Sequence, residues 1–411
     1  MATNTFLTAS MITNEALFVL KNQLSFTRTV NRSYDKRFGV EGAKIGTILN
    51  VRKPPRYLGR EGSGLDVEAV TETSVPVALN TQFGVDLDAT TADFLLSIDN
   101  FSERIIKPAV AAIANRIDHD GLKLASQTVA NFVGAYGTVP SDIDKYLEAK
   151  AILDDCGAPV DGRRYLAITP KMEAAVVYAT KGLFQSSERI KEQYEKGRMG
   201  VALGWDWAMD QNCPSHKVGN IGTTAAAVNG AGQTGSELVT DTWTAGATLK
   251  RGDIIQIAGV YHVNPQNRES TGRLAPFVVT KDCTADGNGN MTISIWPAIV
   301  PSGAFQTVDA APADGALISV FGKAATAFSD IANKSFREGL GYHRDAFTLA
   351  CADLPLPNGV DMAARAADED LGLSIRLIRA YDVKTDKLVT RLDVLYGWAA
   401  LRPELAVRIL S

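Results

Sequence analysis

Apolar positions recur along this chain with two periods, and the changes of period divide it into parts. In "TNEALFVLKNQL" Leu17, Leu20 and Leu24 share one helical face and Thr13 can cap it, before the chain turns basic at "TRTVNRSYDKRF". Residues 1–38 therefore read as an arm whose helix must dock on something, such as a neighbouring subunit. Period 2 follows. Residues 43–87 predict one long β-hairpin, with "KIGTILNVRK" climbing and "VPVALNTQFGVDL" returning through Val77, Leu79, Phe83, Val85 and Leu87. Its tip, "PPRYLGREGSGLD", is rich in proline, glycine and charge. A hairpin this long cannot bury its inner face alone, so it should lie across another molecule or domain.

The helical period returns over 101–133. Ser102 caps this stretch, Glu103 suits its positive end, and Pro108 falls early enough to be tolerated. Ile105, Ala109, Ile113 and Ile117 repeat every fourth residue, which predicts a long structural spine. "DHD" at 118–120 reads as a solvated helix face. Over 141–200 the rhythm is helix, strand, helix. The first helix runs from a Ser141 cap to Gly157, "RRYLAITP" is a strand, and "KMEAAVVYATKGLF" is a helix. Short strands and Gly/Asn/Asp turns then dominate from about 219 to 330, an all-β insertion in which "TLKRGDIIQIAGVYHVNP" supplies a core strand pair. The stretch from "LSIRLIRAYDVKTDKLVTRL" to the end predicts two or three strands of a meander.

Composition narrows the function classes. The 411 residues have room for roughly two to four domains, and 45% apolar with 21% charged residues is an ordinary globular balance. A net charge of −4 argues against a surface made mainly to grip nucleic acid. The first residues lack a basic n-region and a continuous apolar core, so no signal peptide is expected, and no run approaches the roughly 18 apolar residues of a membrane span. Cys156, Cys213, Cys283 and Cys351 are far apart and should be reduced thiols.

Chemistry-bearing motifs are hard to find. His119, His216, His262 and His343 lack His or Cys partners at metal-ligand spacing. "GNIGTT" lacks the Lys-Ser/Thr of a phosphate loop, and no GxSxG or carboxylate couple stands out. "RGD" at 251–253 is a turn entering a strand. No catalytic residue, metal or cofactor is expected, which shifts the balance from an enzyme toward an assembly protein.

The order of parts resembles the HK97-fold major capsid proteins of tailed bacteriophages, in the P22-like branch whose coat protein carries a telokin-like insertion domain. Three stretches carry the resemblance: "RLDVLYGWAALRPELAVRI", "LKRGDIIQIAGVYHVNP" with a later β run, and "FGVDLDATTADFLLSIDNFSERIIKPAVAAIAN". It implies an α+β fold with an N-arm (1–38), an E-loop hairpin (39–88), a P-domain with spine helix (89–136), an A-domain (137–218 and 335–370), an inserted all-β domain (219–334) and C-terminal P-domain strands (371–411). The implied function is a self-assembling icosahedral shell, procapsid and then expanded capsid, around phage double-stranded DNA. The alternative is an encapsulin-like cellular nanocompartment.

The implied partners are copies of the chain in hexamers and pentamers, a scaffolding protein, a portal protein, DNA bound without sequence specificity and a decoration protein, with no membrane. The implied location is the virion capsid, assembled in the host bacterial cytoplasm. Arg52, Lys53, Arg56, Arg60 and Glu61 at the hairpin tip are expected to form inter-subunit ion pairs, with Asp361, Asp368, Glu369 and Asp370 as acidic partners. Glu15, Leu17, Leu20 and Leu24 are expected to meet a scaffold or neighbour, and Asp253 to be an inter-subunit charge of the insertion.

Overall fold

The computed structural model describes residues 9–32, 48–59, 62–63, 72–89, 106–180, 200–368, 372–383 and 387–411. The chain forms two compact units. One holds Met1–Arg52, Ser74–Gly121 and Phe347–Leu401, and the other Lys53–Thr73, Leu122–Ala346 and Arg402–Ser411.

The first unit is built on the long strand Lys387–Ala400. Antiparallel to it lie Thr81–Ala89, Phe347–Ala352 and Leu373–Asp382, and Met362–Asp368 pairs with the last of these. Leu392, Val394, Leu395 and Tyr396 are all buried, so this strand is covered on both faces and its residues do not alternate. The helix Ala9–Gln23 packs on Met362–Asp368 and Leu373–Asp382. Its leucine face is therefore used at home, and Leu17, Leu20 and Leu24 are buried without a neighbouring subunit.

The spine helix is Lys107–Thr128, with Ala109, Val110, Ile113, Ala114 and Ile117 buried; the expected start at Ser102 lies outside the described residues. The "DHD" stretch is not a solvated face. Asp118 is buried, and its carboxylate accepts bonds from Ser25 N (2.8 Å), Thr27 N (2.9 Å) and Thr27 Oγ1 (2.6 Å). Asp120 accepts from Arg116 (3.0 Å) and Tyr396 (2.7 Å). A carboxylate at 118 thus ties the arm to the spine. Gly121 costs helix propensity but makes room for Trp398, whose ring a Cβ would meet at 2.6 Å. The Trp398 indole donates to Ile117 O (3.1 Å) and stacks on Phe26.

The hairpin is shorter than the alternation predicts. Ile48–Arg52 pairs with Ser74–Ala78, and the chain then breaks at Leu79 and Asn80, sending Thr81–Ala89 to the five-stranded sheet. Its inner face is buried within the same unit, where Val51, Val77 and Leu79 join Ala350, Leu354, Leu395 and Leu401. Gly397 permits this seat, since a Cβ there would lie 1.9 Å from the Ala78 carbonyl oxygen.

The second unit holds two large sheets and a two-stranded ladder. One runs Phe132–Val133, Ala406–Leu410, Ser335–His343, Arg164–Ile168, Trp205–Met209 and Val201–Ala202, with Ser215–Lys217 also on Ser335–His343. The helices Ile143–Asp155 and Pro170–Thr180 flank Arg164–Ile168 in sequence. The first of them begins after Asp142 rather than Ser141, without a side-chain cap, and ends at Gly157 in the left-handed region (φ 72°). The last strand, Ala406–Leu410, does not extend the meander of the first unit; it pairs with Ser335–His343.

Residues 219–334 contain no α-helix and form the second sheet: Ile318–Val320, Ile254–Val263, Ser270–Val279, Met291–Ile299, Gly235–Asp241 and Ala227–Val228. The opening residues of "TLKRGDIIQIAGVYHVNP" are not part of it, because Thr248–Leu249 pairs with Cys283–Thr284. Residues 219–334 do not seal a core of their own. Leu238, Ile255, Phe277 and Ile293 are continuous with Ala130, Tyr136 and Leu410, which lie outside 219–334.

Candidate functional site

The hairpin tip gathers more positive than negative charge. Pro54 and Pro55 hold it extended, and Tyr57 and Leu58 present their side chains to solvent. Lys53 donates its backbone N–H to Thr73 O (2.7 Å), and its side chain is half-buried. Burial pushes its ammonium below the ordinary 10.5; Glu404 opposes that shift, and Arg402 and Arg56 add to it. Arg56 Nη2 lies 3.9 Å from Glu404 Oε1, and Arg402 Nε lies 3.3 Å from the same oxygen. Three cations therefore share one carboxylate. Arg268 donates to the backbone carbonyl oxygens of Tyr57 and, at 3.5 Å, Leu58. Arg52 ends the first hairpin strand and is exposed. Arg60 and Glu61 lie outside the described residues.

The expected acidic partners are placed apart from this cluster in role. Asp361 accepts from Arg379 Nε at 2.7 Å. Asp368 closes the strand Met362–Asp368, opposite Leu373; Glu369 and Asp370 lie outside the described residues. Two ion pairs that sequence reasoning missed brace the same sheet. Arg376 makes a two-pronged contact with the buried Asp393 (2.9 and 2.6 Å), which also accepts from Gln82 (2.6 Å). Arg391 does the same with the exposed Asp86 (2.6 and 2.9 Å), and that hydrogen bond holds the Asp86 carboxyl below its ordinary range. In both cases the partners sit directly opposite each other in the register, which brings the guanidinium within reach of both carboxylate oxygens.

Two expectations are corrected by burial. Of the four arm residues expected to meet a scaffold or neighbour, Glu15, Leu17, Leu20 and Leu24, only Glu15 is exposed. Asp253 has no exposed surface, so it offers nothing to a neighbour. Its Oδ1 lies 2.7 Å from His216 Nε2, and its Oδ2 accepts from Lys250 N (2.7 Å) and Gly219 N (3.1 Å). The aspartate of "RGD" is thus the internal fastener of its own turn.

Next to it lies the feature that was hardest to foresee. Arg408 is fully buried in the last strand, and its guanidinium donates to both oxygens of Glu338, to Tyr136 Oη (3.3 Å) and to Gly252 O (2.6 Å). Phe321 lies under the guanidinium at 5.4 Å. Tyr136 donates to Glu338 as well. Burial, the largest single influence, would raise the Glu338 carboxyl, but Arg408, His216 and the hydrogen bonds from Arg408 and Tyr136 together outweigh it and hold the group below its ordinary value. Burial, and then the negative Glu338, push the Tyr136 hydroxyl well up. The sequence signal was available at Arg408, a lone charge in the otherwise apolar strand Ala406–Leu410. A second polar cluster has Cys156 Sγ 3.9 Å from His262 and 3.6 Å from Asn131 Nδ2. Burial pushes that thiol up to about 11 and the His262 imidazole down to about 4. Both stay neutral, which suits packing and opposes a thiolate nucleophile.

The family model described as "P22 coat protein - gene protein 5" matches residues 1–410. Among solved structures, the chain is similar to one from Mycobacterium phage Che8 (11% identity, 100% of this chain and 94% of that chain covered, TM-score 0.42). It is also similar to the capsid of Cyanophage P-SCSP1u (10% identity, 100% and 90% covered, TM-score 0.43). The mature capsid of bacteriophage PhiM1 is a third (11% identity, 100% and 89% covered, TM-score 0.40). No curated protein matches the chain in sequence.

Proposed function

The chain belongs to the P22 coat protein family and is a major capsid protein that forms a phage's icosahedral shell; on that premise we propose that its hairpin tip is the principal subunit–subunit contact. The observation that carries this is the charge surplus of Lys53, Arg56 and Arg402 around Glu404, beside the exposed Tyr57 and Leu58. An acidic surface of a neighbouring copy completes the cluster. Each such contact is weak, and closure of the shell multiplies it. Arg52, Arg60, Glu61, Asp368, Glu369 and Asp370 belong to the same proposed set. Asp361 joins it only by giving up Arg379.

The finer reading has copies joining as hexamers and pentamers around a scaffolding protein and a portal in the host cytoplasm. The shell then expands around DNA that it does not grip by sequence, which the net charge of −4 favours, and an outer decoration protein is compatible with it. The arm, P-domain, A-domain and insertion divide as the resemblance implies, and the role is structural rather than catalytic. A cellular nanocompartment has no comparable support, since the family match is to a phage coat protein. Electron microscopy and sedimentation of the purified chain, with and without scaffold, test this reading. Closed shells or capsomers are expected; a chain that stays a monomer under every condition overturns it.

A further inference from the structure

We propose that His216 is a proton-operated latch: with both ring nitrogens protonated it clamps the turn at 250–253, and loss of the Nδ1 proton loosens that turn. The latch sits where the chain enters and leaves residues 219–334. Ser215–Lys217 leads in and pairs antiparallel with Ser335–His343, which leads out, and His216 stands opposite Phe336. Glu338 lies two residues beyond Phe336, on the same face of that strand. Arg408 comes from the next strand, opposite Leu340. Asp253 immediately precedes Ile254–Val263, and Tyr136 follows Phe132–Val133. All five side chains are buried. The Phe321 ring packs beside the imidazole at 5.8 Å. The nearest cations in the chain, Lys217 and Lys250, are exposed, and Lys250 is paired with Asp282.

Hydrogen bonding fixes every proton of this cluster but one. Asp253 Oδ2 accepts from Lys250 N and Gly219 N, so the group acts as an ionised acceptor and its Oδ1 takes the His216 Nε2 proton at 2.7 Å. Burial, and then the charge of Glu338, push the Tyr136 hydroxyl well up, so it keeps its proton. The guanidinium of Arg408 keeps its own. The open position is His216 Nδ1. Without a proton there, two carboxylates face one guanidinium and a negative charge is left over away from water. With it, the buried charges cancel. Against burial, Arg408 and then His216 hold the Glu338 carboxyl down, which places the imidazole within electrostatic reach of both acids. The ring is seated against the turn itself. Gly252 has φ 99°, and a Cβ there would lie 3.0 Å from His216 Cε1 and 3.2 Å from Nδ1. Arg408 holds Gly252 O at 2.6 Å. Imidazole and guanidinium thus grip adjacent residues of one turn, and the charge on the imidazole sets how tightly.

The experiment follows amide exchange of the purified full-length chain, corrected for intrinsic rates, at about pH 6 and about pH 8.5, either side of the ordinary histidine range. The reporters are the Lys250 and Gly219 amides, which Asp253 holds. The closed turn binds one proton more than the open turn, so its protection falls as pH rises. A loss of about tenfold or more is expected at these two amides, with none in the strand Gly235–Asp241. Glu338, held below its ordinary value, and His262, pushed down to about 4, do not titrate in this window. H216Q keeps a donor for Asp253 but cannot gain a charge, so it should show the weaker protection at both pH values. H119Q and H343Q should respond as the wild type does. Wild-type protection that differs by less than about twofold between the two pH values overturns the latch. So does an H216Q chain that still responds, or a response that disappears in H119Q or H343Q. The wild-type, H119Q and H343Q measurements decide the matter even where H216Q does not fold.

Discussion

Removing Glu338 while keeping Arg408 tests whether the buried network is a lock or merely tolerated. In the wild type the guanidinium has Glu338, Tyr136, Gly252 O and the Phe321 ring around it, and no water-exposed surface. Glu338→Ala leaves a buried cation with one carbonyl, one hydroxyl and one ring. Breaking a buried pair in this way costs about 3–5 kcal/mol, which for a unit of this size lowers Tm by about 6–20 °C. The double variant E338L/R408M removes both charges and keeps the volume, so it should recover most of that loss. The assay is a double-mutant cycle by thermal and urea denaturation of the purified subunit. A single variant that costs less than about 1 kcal/mol, or a double variant no better than the worse single, would falsify the reading of a coupled network. Acid gives an independent check. The Glu338 carboxyl is held below its ordinary value of about 4.5. Its contribution is therefore complete above about pH 4.5 and is lost as pH falls through the lower folded value. The stability gap between wild type and E338Q should be full at neutral pH and close on acidification.

Three further perturbations address the arm, the hairpin seat and the tip. Asp118→Ala strips the arm of four accepted bonds, from Ser25 N and Oγ and Thr27 N and Oγ1, at a cost of about 2–4 kcal/mol; amide exchange at Ser25 and Thr27 should speed up at least tenfold, and unchanged exchange contradicts the anchor. Gly397→Ala drives a Cβ into the Ala78 carbonyl, which neither backbone can escape without moving the hairpin; a loss of about 3 kcal/mol is expected, and a neutral result in denaturation shows that the seat is soft. At the tip, K53E or R56E alone should change shell yield little, as exposed pairs are each worth about 1 kcal/mol or less. The double variant K53E/R56E should lower the yield several-fold and flatten its dependence on salt; equal yields remove the tip charges from the interface.

Much of the fold was legible because it rests on period and punctuation. The 3.6-residue repeat of Ala109, Ile113 and Ile117 found the long helix Lys107–Thr128, the turn-rich composition of 219–334 found a run of strands, and Gly157 marked a helix end. What failed was long-range pairing. Alternation runs through Val77, Leu79, Phe83 and Val85 with Thr81 alone off the pattern, yet the strand changes partner at Leu79–Asn80, because period 2 says that a residue is in a strand and not which strand lies beside it. The arm helix was read as needing a neighbour for the same reason. Its apolar face was visible, but the sheet edge that covers it comes from residues 362–382, far away in the chain.

The charged residues follow a sharper version of the same rule. Whether a charge is available to another molecule depends on whether its own chain already answers it, and register decides that. Arg376 stands opposite Asp393, and Arg391 opposite Asp86. Asp253 is enclosed by His216, Lys250 N and Gly219 N. These groups are satisfied internally, so they stiffen the subunit and offer a neighbour little. The tip differs, because Lys53, Arg56 and Arg402 share Glu404, and Lys53 is half-desolvated as well. An ammonium pushed down by burial and by like charges gains most when a second carboxylate arrives. A shell protein needs this asymmetry. Strong internal pairs hold each sheet in register, and in the proposed assembly the incomplete cluster at the tip lets contacts form, slip and reform until the shell closes. Charge counts alone, 42 basic against 46 acidic, hide the distinction, since the site proposed for assembly is one where the local count fails to balance.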